Sequence, residues 1–148
     1  MRWIAHRGNI DGKKEHFENH PLYIDEALNL RYDVEVDIWM KDGILFLGHD
    51  DAEYIVTQQW LEKRANNLWI HCKNSNAIEW FNSVDGFTYF WHENDDYTLV
   101  SNGKVLVKPG AKLIKNSICC MPEMGLVGDI TKCFAIMTDN INYFKNKI

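Results

Sequence analysis

The chain has 148 residues, 46% of them apolar and 13% aromatic, enough to bury the core of about one domain. Sixteen Lys and Arg against 21 Asp and Glu leave a net charge of -5, which speaks against affinity won by neutralising nucleic-acid phosphates but leaves an anionic substrate open, because a bound metal can dominate locally. The chain opens without a charged-then-apolar leader and contains no apolar run near the ~20 residues that span a bilayer, so no transmembrane segment and a cytoplasmic address are expected.

Residues 2–6, RWIAH, read as a strand that runs into the turn Arg7-Gly8-Asn9 and places His6 at its C-terminal end. Residues 23–30 read as a helix with Asp25 and Glu26 near its start. The period then changes to two: over residues 32–39, Val34, Val36 and Ile38 share one face and Glu35 and Asp37 the other. Lys41-Asp42-Gly43 is a tight turn, and the strand at 44–47 ends in Gly48-His49-Asp50-Asp51. A helix at 57–65, a strand at 68–73 and a helix at 76–84 follow, and this alternation favours a parallel sheet. Beyond it the chain is rich in strands and poor in helices. Residues 86–92 read as a strand closed by His92 and Glu93, and 97–107 as a hairpin about Asn102-Gly103. Short strands at 117–121 and 134–138 flank room for a single helical turn at 129–133. No repeat, linker or low-complexity tract marks a second domain.

Chemistry-bearing residues gather at strand ends: His6-Arg7, Glu35-x-Asp37, His49 and His71-x-Lys73. In a parallel sheet these ends converge on one face. Two carboxylates pointing the same way repel unless a cation sits between them, and Mg²⁺ or Ca²⁺ is the natural occupant for oxygen ligands. His6 and His49 beside such a metal suit general acid-base work on a phosphodiester, with Arg7 offsetting charge on phosphorus and Lys73 adding a positive contact. His92 is a further candidate substrate contact, with a surface pair His92-Glu93 as the alternative. Glu35 and Asp37 could also be the solvated face of an edge strand, and His6 an ordinary strand-end histidine. Cys72, Cys119, Cys120 and Cys133 lack metal or disulfide spacing and are expected as reduced core thiols. Trp3, Trp39, Trp69 and Trp91 are expected in the core or the pocket wall.

The runs IAHRG, Glu18-Asn19, VEVDI, MKDG and GHD, in that order over residues 4–50, resemble the N-terminal signature of the glycerophosphodiester phosphodiesterase family, related to the phosphatidylinositol-specific phospholipases. LWIHCK at 68–73 fits the next strand of that family more loosely, and TDNI at 138–141 is similar to its closing-strand pattern. The resemblance implies one α/β domain over 1–148, an abbreviated TIM-type (β/α) barrel with several helices missing from its C-terminal half, since a full barrel needs roughly 200 residues or more. It implies a phosphoric diester hydrolase in which His6 and His49 are the acid-base pair, Arg7 binds phosphate, and Glu18, Glu35 and Asp37 reach a Mg²⁺ or Ca²⁺ ion. His71 stands where the family carries a metal-binding Glu, so the third ligand is either an imidazole or missing. The expected substrate is a glycerophosphodiester or a phosphorylated sugar, attacked by its own neighbouring hydroxyl or by water. A binding domain for a phosphorylated ligand without turnover is the alternative, as is a homo-oligomer that covers open sheet edges.

Overall fold

Period-two alternation builds the central strand of the molecule, and the rest of the chain is arranged around it. The computed structural model describes residues 1–148. Its strands are β1 (Arg2–His6), β2 (Asp33–Lys41), β3 (Ile44–Leu47), β4 (Tyr54–Val56), β5 (Leu68–Cys72), β6 (Tyr89–Phe90), β7 (Tyr97–Leu99), β8 (Val105–Val107), β9 (Ile118–Cys120) and β10 (Ala135–Thr138). Its helices are α1 (Pro21–Asn29), α2 (Gln58–Glu62), α3 (Ser75–Ser83) and α4 (Ile141–Lys145).

All ten strands form one mixed, mostly parallel sheet. The parallel run is β6-β5-β2-β1-β10-β9-β8, and β7 adds antiparallel to β8. β2 is long enough to pair with β5 near its start and with the antiparallel β3 beyond it, and β4 then pairs with β3. No ladder joins β6 to β7, so the sheet is not closed. The two ends are joined at Tyr89, whose N–H donates to Ser101 Oγ and whose carbonyl accepts from the Ser101 N–H, both at 2.9 Å, and by the side chains of His92 and Thr98 at 2.7 Å.

Alternation sorts side chains onto two faces. Outward go Ala5, Val34, Val36, Ile38, Leu68, Ile70 and Cys72, fully or almost fully buried against Ile24 and Ala27 of α1 and Ala77 and Phe81 of α3. Inward go Ile4, Trp69, Phe90, Leu106, Ile118, Ala135 and Met137, with Val100 beside them, and these form a second apolar cluster. At the foot of this inner cluster the buried Asp33 accepts from Trp69 Nε1 (3.0 Å) and Asn67 Nδ2 (2.9 Å) and pairs with Arg2 (2.8 Å). Above it, toward the strand C-termini, the inward residues become polar.

Several local expectations shift. α1 starts two residues early: Pro21 takes the first position, where its missing N–H costs nothing, and His20 Nδ1 caps Leu22 N at 3.1 Å. Asp25 thus falls inside the helix and pairs with Arg64 at 2.7 Å instead of opening it. The helix expected over 57–65 is shorter, with a 3-10 turn (Ala65–Asn67) after it. The strand expected over 86–92 shrinks to Tyr89–Phe90, because Phe87 packs on Trp80 and Phe81 rather than joining the ladder. β4 and α4 were not foreseen. The four cysteines are free thiols, three of them buried. Trp69 is buried as expected, whereas Trp91 is 41% exposed and belongs neither to the core nor to the wall of the polar cavity. No helix is long and apolar enough to cross a membrane.

Candidate active site and metal centre

Strand register does most of the assembly. His6 lies opposite Glu35 across the β1–β2 ladder, and Asp37 opposite His71 across the β2–β5 ladder. Adjacent strands are about 4.8 Å apart, so four inward side chains from three strands are brought into one group. Glu35 is 2% exposed and Asp37 fully buried, which rules out the solvated edge-strand reading.

His49 reaches the same group by a different route. β2 runs past the site, turns at Asp42-Gly43, and β3 carries the chain back so that the Gly48 N–H donates to the Asp37 carbonyl (3.1 Å) and its own carbonyl accepts from Trp39 Nε1 (2.7 Å). Gly48 has φ +152°, and a Cβ there would stand 1.9 Å from the Asp51 carbonyl oxygen, so the return needs glycine. His49 Nδ1 ends 3.6 Å from Asp37 Oδ2.

Arg7, in the left-handed region at φ 54°, folds back over the carboxylates. Its Nε is 3.2 Å from Asp37 Oδ2, Nη1 donates to Glu18 Oε1 at 3.4 Å, and Nη2 is 3.2 Å from His49 Nε2. Asn19 clamps Asp37 twice, donating to Oδ2 (2.8 Å) and accepting from the Asp37 backbone N–H (3.0 Å). His6 Nδ1 bonds Asp139 Oδ1 at 2.8 Å, leaving Nε2 toward Glu35 Oε2 at 3.8 Å.

These contacts shift the titrating groups in opposite directions. Burial raises the Glu35 carboxyl and the neighbouring Asp37 charge raises it further, against His6, His71 and Arg7. Burial pushes Asp37 up too, but the close approach of His49 and His71 and the positive charge of Arg7 win and hold it far below the usual carboxylate range. Burial opposes a charge on His6, yet the Asp139 hydrogen bond and the Glu35 charge raise its pKa. Two adjacent carboxyls driven apart in this way are the arrangement expected of a functional site.

Two donor groups capable of holding a metal lie side by side. Glu35, Asp37 and His71 form one, their ligand atoms all within 4.8 Å of one another; His6, Glu18 and Asp139 form the other. Glu18, expected with Glu35 and Asp37, therefore sits elsewhere. Its carboxylate is taken by Arg7 and by Asn9 Nδ2 (2.6 Å), and Asn9 also bonds Asp139 at 2.8 Å. Glu35 Oε2 and Asp37 Oδ1 are buried with no hydrogen-bond donor. Orphaned carboxylate oxygens at this depth cost several kcal/mol unless a cation faces them, so the first group fits a divalent ion.

The group opens into a cavity of about 330 Å³. His6, Arg7, Glu35, His49 and His71 form its polar end, Phe90, Leu106 and Met137 an apolar floor, and Lys73 and Lys108 its cationic side, with His92 also in the wall. Lys73 and His92 both line the cavity. The His92 ring is anchored through Nδ1 to Thr98 Oγ1 (2.7 Å), and burial, the neighbouring His71 and Lys108 lower its pKa, so it offers a neutral edge rather than a charge. Sequence reasoning assigned no role to Asn9, Asn19, Lys108 or Asp139. Asn19 and Asp139 stand inside the Glu18-Asn19 and TDNI motifs, whereas nothing local points to Lys108. No known protein family, curated protein or solved structure matches this chain significantly.

Proposed function

We propose that the protein is a metal-dependent phosphodiester hydrolase acting on a small substrate such as a glycerophosphodiester or a sugar phosphodiester. The observation that carries this reading is the pair of buried, donor-less oxygens on Glu35 and Asp37 at the polar end of a cavity whose lining also includes His6, His49 and Arg7. Binding alone needs no pair of histidines flanking a metal-ready carboxylate pair. The resemblance of residues 4–50 to the glycerophosphodiester phosphodiesterases points the same way, as does an abbreviated barrel architecture. Supporting the latter are the inward apolar cluster drawn from six strands and the Tyr89–Ser101 bonds across the open seam.

Glu35, Asp37 and His71 would hold the divalent ion, whose Lewis acidity draws charge from the phosphoryl oxygens when it is bound. Arg7 supplies fixed positive charge to the same phosphoryl group. Asp139 fixes the His6 ring through Nδ1 and favours its charged form, so Nε2 carries a proton into the cavity and donates it to the leaving oxygen. His49, partly exposed and tethered beside Asp37, accepts the proton of the attacking hydroxyl or water at Nε2 once the bound phosphoryl group draws the Arg7 guanidinium away from that nitrogen. Phe90, Leu106 and Met137 keep water from the floor of the cavity, and Lys73 and Lys108 hold the anionic substrate in register.

The test is hydrolysis of bis(p-nitrophenyl) phosphate and of glycerophosphodiesters with added Mg²⁺, Mn²⁺ or Ca²⁺. Wild type is expected to turn over only with metal. His6→Ala should lose about 10²- to 10⁴-fold in kcat, the contribution of one acid-base group, and Glu35→Ala should lose turnover with the metal. Absence of turnover on every ester, with divalent cation bound, overturns the enzyme reading in favour of a phosphorylated-ligand binding domain.

A further inference from the structure

We propose that His71 ligates the metal through Nδ1 and that this nitrogen makes the centre selective for first-row transition dications such as Mn²⁺ or Zn²⁺ over Mg²⁺ and Ca²⁺. The proposal deepens the metal-dependent reading above and rests on it.

The argument starts from hydrogen-bond bookkeeping on one ring. His71 Nε2 lies 3.4 Å from the His92 carbonyl oxygen. A carbonyl only accepts, so this contact puts a hydrogen on Nε2 and leaves Nδ1 as the nitrogen whose lone pair can bind a cation. Nδ1 points at Asp37 Oδ1, 3.1 Å away, and lies 3.9 Å from Glu35 Oε1. A lone pair facing two carboxylates is repulsive unless a cation sits among them. Asp37 Oδ1 is itself one of the buried oxygens without a donor. The ring has no freedom to turn away, because it stacks on Phe90 with centroids 5.0 Å apart and planes 12° from parallel. A backbone carbonyl on the far nitrogen and a packed face are the outer-shell supports that metal-bound histidines use.

Two carboxylates alone suit Mg²⁺ and Ca²⁺, hard cations that take oxygen ligands. Exchanging one oxygen donor for an imidazole nitrogen lowers affinity for those ions and raises it along the transition series. The expectation of Mg²⁺ or Ca²⁺ drawn from Glu35-x-Asp37 is thereby narrowed by the residue on the neighbouring strand.

The test uses the full chain freed of metal by chelation, titrated with Mn²⁺ and followed by electron paramagnetic resonance, with Zn²⁺, Mg²⁺ and Ca²⁺ as competitors. Electron spin-echo modulation of the Mn²⁺ adduct reads nitrogen ligation directly. The expected results are a ¹⁴N coupling in wild type and displacement of Mn²⁺ by Zn²⁺ but not by equimolar Mg²⁺ or Ca²⁺. In His71→Glu the coupling should vanish and the preference for Mn²⁺ over Mg²⁺ should fall by about 10- to 100-fold, the range lost on disturbing a ligand's support. His71→Gln, checked for folding by circular dichroism, guards against a misfolded glutamate variant. A Mn²⁺ adduct without ¹⁴N coupling, or one whose coupling survives both substitutions, overturns the proposal while leaving a metal-dependent enzyme intact; in that event a protonated His71 simply pairs with Asp37. Failure of wild type to bind any divalent ion overturns both.

Discussion

The two halves of the sheet bury their outer faces differently. Outside β1, β2 and β5 lie α1 and α3, and the resulting core is large, with Val34, Val36, Ile38, Ile70 and Phe81 all fully buried. Outside β9 and β10 there is no comparable helix. Cys119, Cys133 and Ile136 make a small cluster roofed by Leu113 from a loop and Ile130 from a single 3-10 turn. Apolar residues of the same half stay in solvent, with Leu99 at 78% and Met124 at 72% exposure. A parallel strand must be covered on both faces, and a helix covers more apolar surface per residue than a loop. The first half therefore forms the rigid base of the site, and the second supplies a wall: Leu106, Lys108, Met121 and Met137, plus the Asp139 carboxylate that holds His6.

Substitutions in the two outer cores should break this asymmetry most visibly. Phe81→Ala empties the helix-covered side and is expected to cost about 3–5 kcal/mol, whereas Ile130→Ala, in the roof of the small cluster, should cost about 1 kcal/mol. Equal losses in urea denaturation would mean that the loops pack as well as the helices do.

The feet of the two halves differ less. Asp33→Ala leaves the buried Trp69 indole N–H without its acceptor and should cost about 1–3 kcal/mol. Ser117 is almost fully buried too, but its Oγ satisfies one local carbonyl, that of Ile114 at 2.6 Å, so Ser117→Ala should cost about 0.5–1.5 kcal/mol. Neither should alter divalent-cation affinity, because the Asp33 carboxylate is held by Arg2, Asn67 and Trp69 below the site and Ser117 bonds only within its own turn. A changed metal affinity in Asp33→Ala would show that the foot and the site are coupled through β2.

The smallest effect belongs to the seam where β1 meets β10. His6 in the folded, metal-free protein has a pKa above its ordinary 6.5, since the Asp139 hydrogen bond and the Glu35 charge outweigh burial. Its stabilising contribution is complete below pH 6.5 and declines as pH rises through the raised folded value. Asp139 works in the opposite sense: although burial opposes its charge, the His6 hydrogen bond depresses its pKa, so its contribution is present above pH 3.8 and declines as the pH falls through the lowered value. Thermal melts of the metal-free protein should lose stability across the neutral range, and His6→Gln should flatten that slope. An unchanged slope in the variant would assign it to other groups.

Much of the first half was legible because its signals are local. Valines and acids alternating through 34–38 identify a strand, and the same alternation sends Glu35 and Asp37 to one face whatever lies around them. The hairpin about Asn102-Gly103 was legible for the same reason: Gly103 adopts φ +84° in the turn between β7 and β8. The short strand at Tyr54–Val56 was not, since three residues carry no readable period and only pairing with β3 makes them a strand. The extent of β6 was misread because aromatic content suits a strand and a helix-packing surface equally, and Phe87 took the second role.

By itself, then, the sequence determined the alternation of elements, the face on which each strand carries its chemistry, and the strand ends at which His6, His49 and His71 stand. Tertiary structure alone decided who meets whom. His6 finds Asp139 across 133 positions of chain, and Glu18 is drawn to Arg7 and Asn9 rather than to the Glu35–Asp37 pair. Lys108 comes to the cavity just beyond the end of β8, a strand on the far side of the sheet, and the His71 ring is aimed by Phe90 and by the His92 carbonyl. The physical reason is that strand periodicity is set by neighbours along the chain, whereas register, ring orientation and charge pairing are set by neighbours in space, which no window of sequence contains.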